Sequence, residues 1–275
     1  MILVTGATGN AGGAVVRALL DAGQQVRGVV RDGRSSLPEG VEAVVGDLNR
    51  AETLEPHLDG VTAAFLLSGY EGLAETLASM RRAGVERVVL LSSSAAPSGD
   101  LTNAVARYHI LSEGAVRESG LGWTFLQPNS FMTNTLQWLP QLRAGDVVRA
   151  PFASVRVATI DPGDIGAVAT AALTSNAHEG RTYRLSGPES LLPADRVAIL
   201  AKVLGRDLRF EAQSNDDARA EMSQTMPSEY VDAFFRFFVD GDLDESQVLP
   251  TVEEITGKRP RTFEQWAEAH ADVFR

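Results

Sequence analysis

The stretch Thr5-Gly6-Ala7-Thr8-Gly9-Asn10-Ala11-Gly12-Gly13 stands between the apolar run Ile2-Leu3-Val4 and an amphipathic segment, and it limits the chain to few folds. A strand that turns through glycines directly into a helix aims backbone N–H groups and a helix N-terminus at one point. That geometry receives a phosphate. Gly6 is expected to take the tight turn, and Gly9 to omit the Cβ that would block a pyrophosphate. Gly12 is expected to let the helix pack on the strand. Thr8, Asn10 and Ala11 complete the loop. Glycine-rich turns also occur for structural reasons alone, but the flanks here match what a dinucleotide site needs.

The next hundred residues repeat the same alternation. Short β-branched or apolar runs occupy residues 25–30, 41–45, 63–67, 87–91 and 123–127, with helical patterns at 13–22, 72–83 and 104–119. Apolar strands separated by crossovers imply a parallel sheet covered on both faces. The expected class is therefore α/β, a doubly wound parallel sheet of the Rossmann type, in which ligands lie beyond the strand carboxyl ends. Polar residues just after strands become the informative ones. They include Asp47 and Leu48, expected to meet an adenine, and Leu67 and Ser68, expected near a ribose. Ser92 and Ser93 follow the fifth strand, and Pro128 and Asn129 the sixth.

The end of the second strand bears on which dinucleotide is held. An acidic residue there holds a ribose 2′-hydroxyl and repels a 2′-phosphate. Arg31 occupies the place, and a guanidinium can fork onto a phosphate, so NADP is expected over NAD. Arg34 adds a second positive charge, whereas Asp32, one position later, keeps NAD open.

Composition narrows the remaining classes. A net charge of −11 over 275 residues, with no basic run, argues against a nucleic-acid surface. Without cysteine there are no disulfides, thiolate nucleophiles or Cys-based metal sites. No His or carboxylate cluster has the spacing of a closed metal site, so no metal is expected. No apolar run reaches the length of a membrane span. The first strand begins at Ile2, so a leader segment is not expected and the cytoplasm is the expected location.

Beyond residue 130 the pattern loosens. Strands are expected at 155–160, 181–186 and 208–211, and helices from Asp161 through Leu173 and over 193–204. Tyr230, Phe234, Phe235, Phe237 and Phe238 recur at helical spacing and define a wide apolar face. That face serves core packing, a subunit contact, or a lid over an apolar substrate pocket. The expected organisation is a dinucleotide-binding core over residues 1–130 and a small α/β lobe over 131–275, interleaved into one unit.

Taken together, these segments resemble the NmrA-like group of atypical short-chain dehydrogenases/reductases. The resemblance rests on the glycine turn, the arginine ending strand two, Gly46-Asp47-Leu48, and the serines after strand five. It extends through His109 and Glu113 to Trp123-Thr124-Phe125-Leu126-Gln127-Pro128, where the group more often has arginine in place of Gln127. Asp161-Pro162-Gly163-Asp164-Ile165-Gly166, Leu185-Ser186-Gly187-Pro188 and Gly257-Lys258-Arg259-Pro260-Arg261-Thr262-Phe263 carry it through the second half. It implies NADPH-dependent reduction of a quinone-like, aromatic or polyketide-type carbonyl or enone, with secondary metabolism as the expected setting. The group also includes proteins that bind the cofactor only as a redox sensor, and a redox-neutral tailoring enzyme on the same fold is a further alternative. A homodimer stays open.

Typical short-chain reductases lower the pKa of a tyrosine with a lysine four residues later. Here the residues four beyond Tyr70, Tyr108, Tyr183 and Tyr230 are Ala74, Ser112, Gly187 and Phe234, so that pair does not exist. Tyr108, His109 and Ser93 remain as catalytic candidates. His109 and Glu113, one helical turn apart, are expected to face each other, with the histidine poised near neutrality as a proton donor.

Overall fold

The computed structural model describes residues 1–274. Seven parallel strands form the central sheet: β1 (Ile2–Val4), β2 (Val26–Val30), β3 (Val41–Val45), β4 (Ala63–Leu67), β5 (Arg87–Leu91), β6 (Gly122–Pro128) and β8 (Arg181–Leu185). Their spatial order is β3-β2-β1-β4-β5-β6-β8. The chain runs outward from β1 to β3 and then crosses back to β4, so strand order reverses beside β1 and opens a crevice at its carboxyl end.

Side-chain alternation along each strand feeds two cores. Leu3, Leu66, Leu90 and Phe125 pack with Leu77 and Met80 of α2 (Leu73–Arg82) and Val116 of α3 (Ala104–Glu118). On the opposite face, Val4, Phe65, Val89 and Leu126 meet Val15, Val16 and Leu19 of α1 (Asn10–Asp21) and Ile165, Val168 and Ala169 of α5 (Pro162–Thr174). Each such side chain, fully buried, contributes about 1.5–3 kcal/mol relative to exposure. Helices α1 and α5 approach closely enough that a Cβ on Gly166 would lie 2.7 Å from the Ala14 carbonyl oxygen. Small residues along α5 allow that contact.

A third core forms the lobe. It joins Trp138, Leu142 of α4 (Leu139–Ala144), Val148 of β7 (Val147–Ala150), Leu200 of α6 (Pro193–Leu204) and Trp266 of α10 (Phe263–Ala269). Strand β7 pairs in parallel with β9 (Arg209–Ala212) as a separate small sheet. Helix α7 (Asn215–Met222) leads into α8 (Ser228–Phe238), and α9 (Thr251–Thr256) returns to pack on the central sheet through Val252. Strand β8 and helix α5 lie beyond residue 130 yet belong to the central sheet and its cover. The second half of the chain thus returns to the core.

The strand expected at 155–160 does not form. Val157 bridges to Leu191 and Ile160 bridges to Phe131, two isolated residues on different segments, so no ladder can propagate. β-branched residues make the segment extended, but its partners change within three residues. Strand β7 and helices α4, α7, α9 and α10 were not anticipated, because each is short and its apolar pattern becomes meaningful only against the lobe core.

Candidate cofactor and substrate site

The glycine turn has the expected shape, with a physical reason at each position. Gly6 adopts φ +61°, and a Cβ there would lie 2.6 Å from Leu67 Cδ1. Gly9 is the N-cap of α1, with its N–H donating to the Gly6 carbonyl at 2.8 Å. It has no capping side chain, and no acidic residue follows in the first turn. The opening N–H groups of α1 therefore have no intrahelical acceptor and carry the positive end of the helix dipole. Thr8, Gly9 and Asn10 are exposed, while Ala11 and Gly12 are buried beneath them. A side chain on Gly12 would fill the space where α1 meets the turn. The cradle fits a pyrophosphate.

Arg31, just past β2, is exposed and without an ion pair among the described residues. The neighbouring Asp32 is spent on the loop itself, since its Oδ1 accepts from Arg34 N at 3.1 Å and Ser35 Oγ at 3.2 Å. Past β3, Asp47 Oδ1 accepts from Asn49 N at 3.0 Å, and Thr53 Oγ1 accepts from Asp47 N at 2.9 Å, fixing that turn beside half-buried Leu48. These residues fit a phosphorylated pyridine dinucleotide laid across the strand ends.

Leu67, Ser68, Ser92, Ser93, Tyr108, His109, Pro128 and Asn129 line one cavity of about 320 Å³ beyond the ends of β4, β5 and β6. Within it, two hydroxyls are already committed. Ser68 Oγ donates to the Leu91 carbonyl at 2.7 Å, and Ser92 Oγ donates to Glu113 Oε1 at 2.6 Å. Ser93 Oγ accepts from Ala95 N at 3.1 Å and keeps its own proton for a ligand. The Tyr108 and His109 rings lie 4.2 Å apart. A Cβ on Gly69 would touch the Tyr108 ring at 3.0 Å, so the turn after β4 packs flat against it.

Two expectations for α3 are corrected. Glu113 does not face His109. Its carboxylate instead takes Ser92 Oγ, Gln127 Nε2 at 2.8 Å and Arg117 Nη2 at 3.0 Å. Gln127, standing where the resembling group has arginine, thus supplies a neutral donor, and Arg117 supplies the cation. Nor is His109 poised near neutrality. Burial pulls its pKa down to about 4, and its Nδ1 is enclosed without a partner. Burial, with a smaller contribution from Tyr230, pushes the Tyr108 phenol up from its ordinary range. Both rings are neutral at physiological pH.

Glu245 was not foreseen. It lies in the coil after α8, among acidic residues that read as a solvated run, yet it is 5% exposed and lines the same cavity. Its carboxylate accepts from Ser94 Oγ at 2.6 Å, Ser130 Oγ at 2.6 Å and Ser130 N at 3.0 Å. Asn129 Nδ2 donates to its backbone carbonyl at 3.0 Å. Burial raises its pKa against these hydrogen bonds. The sequence held no signal for it, because the serines that receive it are far away along the chain.

Helix α8 closes the site. Buried Phe235 and Phe237 anchor it, while Phe234 and Phe238 line the small cavity and also a second, larger one of about 870 Å³. Asn103, which caps α3, ties the two helices by donating to the Ala233 carbonyl at 3.3 Å. Among the described residues no group of His, Asp and Glu suits a metal ion, and no helix is long and apolar enough to cross a membrane.

The description "NmrA-like family" fits residues 1–267. The chain is 40% identical over 280 residues to a (4-alkanoyl-5-oxo-2,5-dihydrofuran-3-yl)methyl phosphate reductase of Streptomyces griseus subsp. griseus, spanning 100% of this chain and 99% of the relative. It is 34% identical over 284 residues to an NAD(P)H azoreductase of Xenophilus azovorans, spanning 100% and 99%. The Citrobacter sp. triphenylmethane reductase complexed with NADP(H) superposes with a TM-score of 0.80 at 22% identity, over 98% of this chain and 100% of that one. An NADPH-dependent quinone oxidoreductase from Escherichia coli, complexed with NADPH, gives 0.79 at 23% over 100% of both. From the glycine turn to the last helix, this chain belongs to the NmrA-like family.

Proposed function

We propose that the protein is an NADPH-dependent reductase of a conjugated carbonyl, a quinone-like or enone small molecule bound in the cavity beneath α8. The chain is an NAD(P)H-dependent oxidoreductase of the atypical short-chain type, and two of its relatives are named as reductases, one of them an NAD(P)H azoreductase. The observation that carries the reading is the cofactor turn opening directly beside an aromatic-walled cavity, with Leu67 forming part of both. The relative from Streptomyces griseus is named for an unsaturated, carbonyl-bearing ring, and the one from Xenophilus azovorans for azo compounds.

Bound NADPH supplies a hydride at the nicotinamide ring. The chain's own residues handle the negative charge that hydride addition leaves on the substrate oxygen. Ser93 and Tyr108 are the donors proposed for it, each keeping a hydroxyl proton at neutral pH. His109 enters as a neutral ring that shapes the cavity wall and is available for a hydrogen bond, not as an imidazolium. Leu67, Phe234 and Phe238 exclude water. Arg31 holds the 2′-phosphate that distinguishes NADPH from NADH.

The test is NADPH oxidation by the purified protein across a panel of quinones and enones, followed at the nicotinamide absorbance. Turnover of at least one conjugated carbonyl is expected. Full NADPH affinity with no oxidation by any acceptor would overturn the reductase reading and leave a cofactor-binding protein.

A further inference from the structure

The larger cavity, about 870 Å³, is continuous in its lining with the small one, because Ser130, Asn134, Phe234 and Phe238 belong to both. It contains an anomaly of charge. Arg196, in the first turns of α6, lines it with no hydrogen bond or ion pair to its guanidinium among the described residues. Its Nε is fully enclosed without a partner. The cation faces the Trp138 ring, 5.3 Å from the guanidinium carbon. Arg27 also has an enclosed Nε without a partner, but its terminal nitrogens, like those of Arg87, are paired. Arg27 pairs with Glu42 and donates to the His57 carbonyl, and Arg87 pairs with Glu86 and donates to the Leu173 carbonyl.

Arg196 is half-buried, and a cation drawn partly out of water without a counter-charge is costly unless an anion arrives with a ligand. Burial pulls the Arg196 pKa down to about 10, which leaves it charged at neutral pH. Two further polar atoms of this cavity, Thr133 Oγ1 and Thr159 Oγ1, are also buried without a partner. Arg149 lines the wall with only a loose pair, 3.8 Å from Glu211. The one carboxylate in the lining, Glu221, is occupied by Gln213 Nε2 at 2.7 Å. In a chain of net charge −11, one unmatched and one loosely paired guanidinium in the same cavity need a cause.

We propose that Arg196, backed by Arg149, seats a phosphate monoester carried by the substrate, while the conjugated part of the same molecule reaches the small cavity. The proposal rests on the reductase reading and narrows its substrate to an anionic one. Phosphate suits the site because a guanidinium engages two of its oxygens at once, and a second cation offsets its second charge.

Two measurements separate this proposal from the reading beneath it. In the first, phenyl phosphate is titrated into protein saturated with NADPH, so that the cofactor's own phosphate sites are filled. Calorimetry should detect binding that weakens on the order of 100-fold in Arg196→Met, with partial recovery in Arg196→Lys. Methionine keeps an apolar stem against Trp138, and NADPH affinity reports that the variant is folded. In the second, a hydroxymethyl butenolide and its phosphate ester are compared as substrates. Arg196→Met should lower kcat/KM for the ester about 100-fold more than for the alcohol. Phosphate binding lost in Arg196→Met, with no turnover of either compound, would keep the anion seat and remove the reductase. Undetected or unchanged phosphate binding, or equal losses for ester and alcohol, would overturn the seat and leave the reductase reading intact.

Discussion

The Cα of Gly12 lies so close to the carbonyl of Gly6 that a Cβ placed on it would stand 2.2 Å from that oxygen and 2.6 Å from its carbon. These are backbone atoms and cannot rotate aside. The contact seats α1 on the turn and so fixes where its free N–H groups point.

Gly12→Ala is therefore expected to push α1 off the turn, weakening NADPH binding at least tenfold and destabilising the fold by about 2–3 kcal/mol. Calorimetric titration and thermal melts check both. Gly114, inside α3, has open space around its Cβ direction, so Gly114→Ala should stabilise by about 0.5–1 kcal/mol.

Arg31→Asp places a carboxylate where the 2′-phosphate would approach, with Asp32 already engaged in its own loop. The ratio of kcat/KM for NADPH over NADH should fall on the order of 100-fold, mostly through loss with NADPH. An unchanged ratio in steady-state assays with both coenzymes would remove Arg31 from the selectivity argument.

His109 gives a pH dependence whose sign follows from its lowered pKa. The folded state holds the ring neutral down to about 4, whereas the unfolded chain protonates near 6.5. Stability from this group is full above the unfolded value and is lost as pH falls through that window, by up to about 3 kcal/mol. Urea melts across the window should show this slope in wild type and a flatter one in His109→Gln. The His109 ring signal in NMR should stay that of neutral imidazole above about pH 5.5.

Glu245 has the opposite sign. Its folded pKa is raised above the ordinary 4.5, so its contribution is full at low pH and is lost as pH rises through the folded value. Glu245→Gln should flatten the decline in stability on the alkaline side. Glu245→Ala leaves the Ser94 and Ser130 donors without their acceptor and should cost about 3 kcal/mol in denaturant unfolding.

What the sequence determined by itself is local and repetitive. The glycine turn, the apolar runs of β1 to β6 and the extents of α5 and α6 depend on residues within a few positions of the atoms they control, and parallel crossovers leave that pattern in order along the chain. The position of Arg31 past β2 was legible for the same reason. Tertiary structure alone decided the rest. Residues 155–160 have strand composition but meet single partners on separate segments, so no sheet forms there. Glu113 turned away from His109 because Ser92, just past β5, and Gln127, on neighbouring β6, offered it donors in the interior. Glu245 and Arg196 look like surface charges in the sequence; the first becomes buried and the second half-buried in a cavity wall only when distant segments close around them. Burial and partnership of a charge depend on contacts far along the chain, and no local pattern encodes them.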